Sequence, residues 1–158
     1  MFWSDAGSHP RIEKASLDGN QRVAIVTTYI FHPNGIDLDR GNQRIFWVDA
    51  GYDRVESISY NGNNRNILFQ VLGIHPFGVV LVSPFLLFTD WRTNKVHNLD
   101  ATTGRVLRSY SVNGGEPMGI VAYDSTRQPQ GNHKGLDDFC LQVSRRTYLQ
   151  IWVAFTRS

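Results

Sequence analysis

The sequence predicts an all-β protein assembled from tandem four-stranded antiparallel sheets, and three observations carry that prediction. Short aromatic and β-branched runs recur along the chain, each bounded by Gly, Pro, Asn or Asp, as strands and tight turns are. Four sequence markers repeat in one fixed order at a period of 41 to 44 residues, which is the signature of a copied structural unit. No helical periodicity stands out before residue 130. The 158 residues suit one domain, and the 41% apolar content suffices for a core. Fourteen Gly and 12% aromatic residues fit many short strands and turns.

The first marker is an aromatic run ending in Asp: Phe2-Trp3-Ser4-Asp5, Phe46-Trp47-Val48-Asp49 and Leu87-Phe88-Thr89-Asp90, with the aspartates 44 and 41 residues apart. A basic and a β-branched residue follow, Arg11-Ile12, Arg54-Val55 and Lys95-Val96. Turn pairs come next, Asp18-Gly19, Asn61-Gly62 and Thr103-Gly104, spaced 43 and 42. The last marker is Pro33-Asn34-Gly35, Pro76-Phe77-Gly78 and Pro117-Met118-Gly119, spaced 43 and 41.

The run ending in Asp reads as the second strand of a unit. Residues 54–60 alternate roughly with period two and read as a third strand. Asn61-Gly62 and Asp18-Gly19 tolerate the positive φ of a hairpin and join the third strand to a fourth. The fourth strands are expected over 22–26, 65–69 and 105–108. The Gly after each Pro opens a first strand such as Gly78-Val79-Val80-Leu81-Val82, apolar on both faces and expected to be the most buried. Four strands per unit of about 40–45 residues describe the blade of a propeller.

At these residues the chain resembles the low-density lipoprotein receptor family, whose Tyr-Trp-Thr-Asp repeats the three runs ending in Asp match in order and spacing. The resemblance covers residues 1–130 as three class B repeats, about 1–43, 44–85 and 86–128. It implies a six-bladed propeller followed by a cysteine-rich module like epidermal growth factor. Three copies make half such a ring, so a partial propeller of about three blades, a receptor fragment, is expected. The resemblance also gives Asp5, Asp49 and Asp90 a structural role, tying adjacent blades through hydrogen bonds to backbone. Residues 131–158 read as a degenerate remnant of the cysteine-rich module, poorly ordered. Within them, Gly135-Leu136-Asp137-Asp138-Phe139-Cys140-Leu141 keeps one cysteine where the module needs several. An open half ring leaves flanks bare, and self-association through open blade edges is an expectation.

Charge nearly cancels, 16 Lys and Arg against 14 Asp and Glu, which argues against a nucleic-acid partner. No apolar run reaches the roughly 18 residues of a membrane span, and no basic-then-apolar leader follows Met1. Cys140 stands alone, which excludes an internal disulfide and a zinc site built on cysteine pairs. The five histidines are dispersed, and no nucleophile elbow, phosphate loop or His-Glu-x-x-His pair is present. No catalytic residue, cofactor or metal is therefore expected.

What remains is a binding face for extracellular protein ligands. Loops after each second strand and before each first strand gather at one end of a propeller. Tyr, Trp and Arg dominate interface energetics, so Trp91, Arg92, Tyr52 and His9 are the candidate binding residues. His32 and His75 precede the recurring Pro and are candidates for sensing pH. Three functions stay open in this order: the extracellular ligand-binding module of an endocytic receptor, a structural or matrix-interaction propeller, and a calcium-dependent propeller hydrolase.

Overall fold

The computed structural model describes residues 1–113, 115–124, 139–142 and 149–156, and within them it is all-β, with no helix. Among the described residues fourteen strands form four sheets. The first sheet is β1 (Phe2–Asp5), β2 (Arg11–Lys14) and β3 (Val23–Val26). Two complete four-stranded blades follow. One is β4 (Pro33–Asp39), β5 (Arg44–Asp49), β6 (Arg54–Ser59) and β7 (Asn66–Gln70). The next is β8 (Pro76–Val82), β9 (Phe85–Asp90), β10 (Lys95–Asp100) and β11 (Val106–Ser111). Both are antiparallel meanders in chain order. The fourth sheet runs β12 (Glu116–Asp124), β14 (Leu149–Thr156), β13 (Phe139–Gln142).

The sequence repeat and the blade are out of phase. Each repeat is written from the strand ending in Asp, whereas each blade begins one strand earlier, at the Pro-x-Gly strand. The first sheet accordingly lacks a first strand, and β12 is a first strand by its Pro117-Met118-Gly119. Each hairpin from third to fourth strand turns on a glycine at positive φ, 84° at Gly19 and 87° at Gly62, which an L side chain adopts only at a cost.

The core lies between the blades. One cluster joins Phe46, Val48, Val55, Ile74, Val79, Leu86, Phe88 and Leu99 across the second and third sheets. A second joins Ile12, Val26, Ile30, Ile45, Trp47 and Ile58 across the first and second. Most buried are the second and third strands, β5, β6, β9 and β10. The expectation that first strands are deepest is corrected: all of β4 after Pro33 is only half buried. A middle strand has a neighbouring sheet packed on each face, whereas β4 lines the propeller axis, where it borders an open groove.

That groove, of about 410 Å³, is lined by Asn34, Gly35, Ile36, Phe77, Gly78, Val79, Gly119 and Ile120. Here the first strands close in on one another so tightly that the motif's glycine is required. A Cβ on Gly35 would lie 2.8 Å from the Phe77 carbonyl oxygen, and one on Gly78 would lie 2.8 Å from that of Met118. Backbone cannot yield as a side-chain tip can. Gly78→Ala is expected to destabilise the fold by about 1–3 kcal/mol in urea unfolding.

Candidate protein-binding face and the carboxylates beneath it

The linkers that carry the chain between blades have no ladder of their own, so their N–H groups need other acceptors. Asp49, fully buried at the end of β5, supplies them. Its Oδ2 accepts from Phe31 N–H (2.8 Å) and its Oδ1 from His32 N–H (3.0 Å), both in the linker entering the same blade. The same Oδ1 accepts from Gly51 and Tyr52 N–H at 2.9 and 3.2 Å, in the loop after β5. Asp90 repeats the arrangement one blade on. Its Oδ1 accepts from His75, Arg92 and Thr93 N–H at 2.9, 3.1 and 3.4 Å, and Oδ2 from the Thr93 hydroxyl. Asp5 stands one-third exposed, accepting from Gly7 N–H (2.9 Å) and pairing with Arg11 (3.2 Å).

Burial works against the charged form of Asp90. Hydrogen bonding outweighs it: the neighbouring His97 and Thr93 side chains and the His75 and Thr93 N–H groups hold the carboxyl at about 2.

A second set of carboxylates is absent from the sequence reading. Glu56, 1% exposed on β6, forms an ion pair with Arg54, whose Nε lies 2.9 Å from Oε1, and accepts a hydrogen bond from Arg65 Nε (2.7 Å) on Oε2. Arg65 also donates to the carbonyls of Thr28 (2.6 Å) and Tyr29 (2.7 Å), and Arg54 to that of Tyr29. This Arg-Glu-Arg group thus clamps the linker that arrives from the first sheet. Glu13 has the same neighbours one repeat earlier: Arg22 Nε at 2.9 Å and Arg11 Nε at 3.2 Å. Its carboxyl lies below the usual range, chiefly through the Arg22 hydrogen bond. The third copy departs. His97 takes the place of the Glu, stacks on Phe88 (4.8 Å between centroids) and shares a hydrogen bond of 2.8 Å with Ser109. Asp37 was also missed; it bridges first strands by accepting Leu81 N–H (2.7 Å). The signal available was the repetition of Arg11-x-Glu13 as Arg54-x-Glu56.

Above these anchors lies one end face. Phe31 packs over Gly51, stands 4.6 Å from the His32 ring, and approaches Tyr52 at 6.1 Å. Tyr52 lies under the Arg54 guanidinium at 4.5 Å. The next linker joins this loop through Val71 N–H to the Asp53 carbonyl (3.3 Å) and Gly73 N–H to the Asp53 carboxylate (2.9 Å). It then delivers His75 against Trp91 at 4.6 Å, with Phe77 beyond at 6.3 Å. Tyr52, Trp91 and the exposed Arg92 therefore share this face with His32 and His75. His9 is exposed on the loop after β1, 3.1 Å from Ser8, and makes none of these contacts. Tyr29, Phe31 and Leu72, exposed by 79%, 53% and 87%, add apolar surface that residue type alone did not single out. Burial holds the His75 pKa below the usual histidine value, with Arg92 and His32 adding to the shift against the opposing pull of Asp53 and Asp90.

Among the described residues no group of His, Cys, Asp and Glu is arranged to hold a metal ion, and no helix is long and apolar enough to cross a membrane. Residues 135–138 of the stretch compared above with a cysteine-rich module lie outside the described residues.

This fold, with strand-end aspartates under an aromatic end face, defines a Tyr-Trp-Thr-Asp propeller module. The chain carries low-density lipoprotein receptor class B repeats: the family model "Low-density lipoprotein receptor repeat class B" matches residues 1–39 and 43–81. It is 34% identical over 133 residues to vitellogenin receptor Yl of Drosophila melanogaster, covering 84% of this chain and 7% of that protein. It is 27% identical over 143 residues to the vitellogenin receptor of Solenopsis invicta, covering 90% and 8%. A chain in the crystal structure of the nidogen/laminin complex superimposes with a TM-score of 0.69 at 28% identity, over 75% of this chain and 45% of that one. Virginiamycin B lyase of Staphylococcus aureus superimposes at 0.63 with 18% identity, a likeness of fold alone, over 76% of this chain and 41% of the lyase. The chain thus spans less than a tenth of its curated relatives and under half of these solved chains.

Two outcomes test the anchors. The pKa of Asp90 lies below the 3.8 of a free Asp, so its contribution is present above that pH and is lost as pH falls towards about 2. Asp90→Asn should cost about 2 kcal/mol at pH 7 and flatten that part of the acid limb, read by urea unfolding against pH. Glu56→Gln leaves the buried Arg54 guanidinium and the partly exposed Arg65 guanidinium short of their countercharge and should cost about 3 kcal/mol in the same assay.

Proposed function

We propose that the chain is a non-catalytic, extracellular protein-binding module of an endocytic receptor of the low-density lipoprotein receptor family. The observation that carries this reading is the end face itself. Its exposed rings and apolar side chains sit on linkers pinned from below by Asp49 and Asp90. A partner would meet a surface already ordered, and so would not bear the entropy of ordering it. Trp91, Tyr52 and Arg92 are the binding residues on this reading, with His9 at its margin and Phe31 and Leu72 added. The relatives named as vitellogenin receptors support the receptor role and suggest vitellogenin as the ligand to try first. The likeness to a chain of the nidogen/laminin complex favours a second reading, a matrix-interaction propeller, for which laminin is the probe.

Binding of the immobilised chain to vitellogenin and to laminin separates the two readings. Trp91→Ala with Tyr52→Ala should weaken capture of the true ligand by at least tenfold, the loss of one or two anchors of about 1–2 kcal/mol each, while the chain stays folded, with a cooperative urea transition. Undiminished capture by the double variant removes this face from the proposal.

His75 adds a dependence on pH. Its pKa is lowered by burial, so the neutral form stabilises the Trp91 stack above about pH 6.5, and that contribution is lost as the pH falls below it. Ligand release, followed by surface plasmon resonance from pH 7.4 to about 5, should quicken in acid, and His32→Gln with His75→Gln should abolish the acceleration.

A further inference from the structure

In both complete blades the first strand meets the strand ending in Asp in one register. Pro33 pairs with Asp49 and Ile36 with Trp47, with a register shift between the two pairs. Pro76 pairs with Asp90 and Val79 with Phe88, with the same shift. The shift belongs to the Pro-x-Gly segment, where proline donates no ladder bond and glycine permits the close approach described above.

β12 carries the same Pro-x-Gly segment, and its neighbour is β14. Pro117 pairs with Phe155 and Ile120 with Val153, again with a shift between them. By register, β14 stands where β5 and β9 stand. Val153 holds the position of Trp47 and Phe88, and Phe155 that of Asp49 and Asp90. β13 lies on the far side of β14, where a third strand belongs. Yet this is not a fourth repeat. The strand nearer β12 comes later in the chain, and the residue at the aspartate position is a phenylalanine.

We propose that β14 is a built-in surrogate for a class B motif strand, and that the edge of β12 it covers is a docking site for the motif strand of another such repeat. The ladder supplies the pairing, as in other cases of strand addition. The surrogate is incomplete at one point. Asp49 receives the N–H of His32 and Asp90 that of His75, each the residue before the recurring Pro. The counterpart here is Glu116, and Phe155 brings no carboxylate to that position. A strand of the form aromatic-Trp-x-Asp offers the same ladder and the missing acceptor, so it occupies this edge once β14 is removed, while β14, tethered to the chain, holds the edge against a free strand. The proposal is independent of the ligand-binding end face.

The decisive experiment restores the missing group in the full chain. A charge placed on a strand ordinarily loosens it, but Phe155→Asp should slow hydrogen exchange at the Glu116 amide by about tenfold, the worth of one charge-assisted hydrogen bond. Ala154→Asp, one residue out of register, should speed exchange there. Unchanged or faster exchange in Phe155→Asp overturns the assignment. A second arm tests the docking site. Trp152→Pro with Val153→Pro removes the ladder of β14. A labelled peptide of residues 43–60, carrying β5 and β6, should then bind this variant saturably and the unaltered chain far less. The same peptide with Asp49→Asn should bind about tenfold more weakly. Equal binding to both chains, or binding to neither while the amides of β5 and β9 stay protected, overturns it. Should those amides lose protection, the Phe155→Asp result alone decides.

Discussion

A carboxylate at the end of a strand, gathering backbone N–H groups from two directions, is the interaction around which the rest of this chain is arranged. Asp49 takes two from the linker that enters its blade and two from the loop that leaves its strand. Those four donors have no ladder to join, and leaving them unpaired against the buried carboxyl position would cost a sizeable share of the stability of a small domain. With the carboxylate present, the linker takes one path, and the path fixes how the next blade sits. Core packing between sheets then follows from the placement.

The repeats share this frame but vary in what reinforces it. Two copies bury a glutamate between two arginines, and the third puts a histidine between an aromatic ring and a serine. The hydroxyls of Ser4 and Thr89 donate to the carbonyls of Asn34 and Met118, each at the same place in the first strand of the following sheet, where the middle repeat has Val48. Such exchanges are tolerated because each blade contacts only its neighbours. The glycines of the first strands are not open to exchange in this way, since the backbone of the next strand already occupies the space a side chain would need.

Rigidity beneath and exposure above belong together on the end face. The loops can leave rings and apolar side chains exposed because they need not fill a core, and they hold a defined shape because the aspartates satisfy their backbone. The axis groove is a different surface, made largely of backbone and glycine, and it owes its openness to the number of blades side by side.

The repeat, its period, the turn glycines and the strand-end aspartates were legible in the sequence, because each is a local demand that a residue type meets wherever it recurs. Asp49 and Asp90 could be singled out by spacing alone, and so could Gly62 at its hairpin. The partners of Glu56 could not. Arg65 reaches Glu56 across the turn from β6 to β7, and only the packing of the first sheet on the second brings the Tyr29 carbonyl to the guanidinium groups of Arg54 and Arg65. The depth of the first strands was misjudged for a related reason: an apolar run states that a strand prefers burial, but the number of sheets packed around it decides how much it receives. Least legible was the fourth sheet. Nothing local in residues 149–156 names β12 as their neighbour; that pairing is set by an open edge whose register was fixed thirty residues earlier by Pro117 and Gly119.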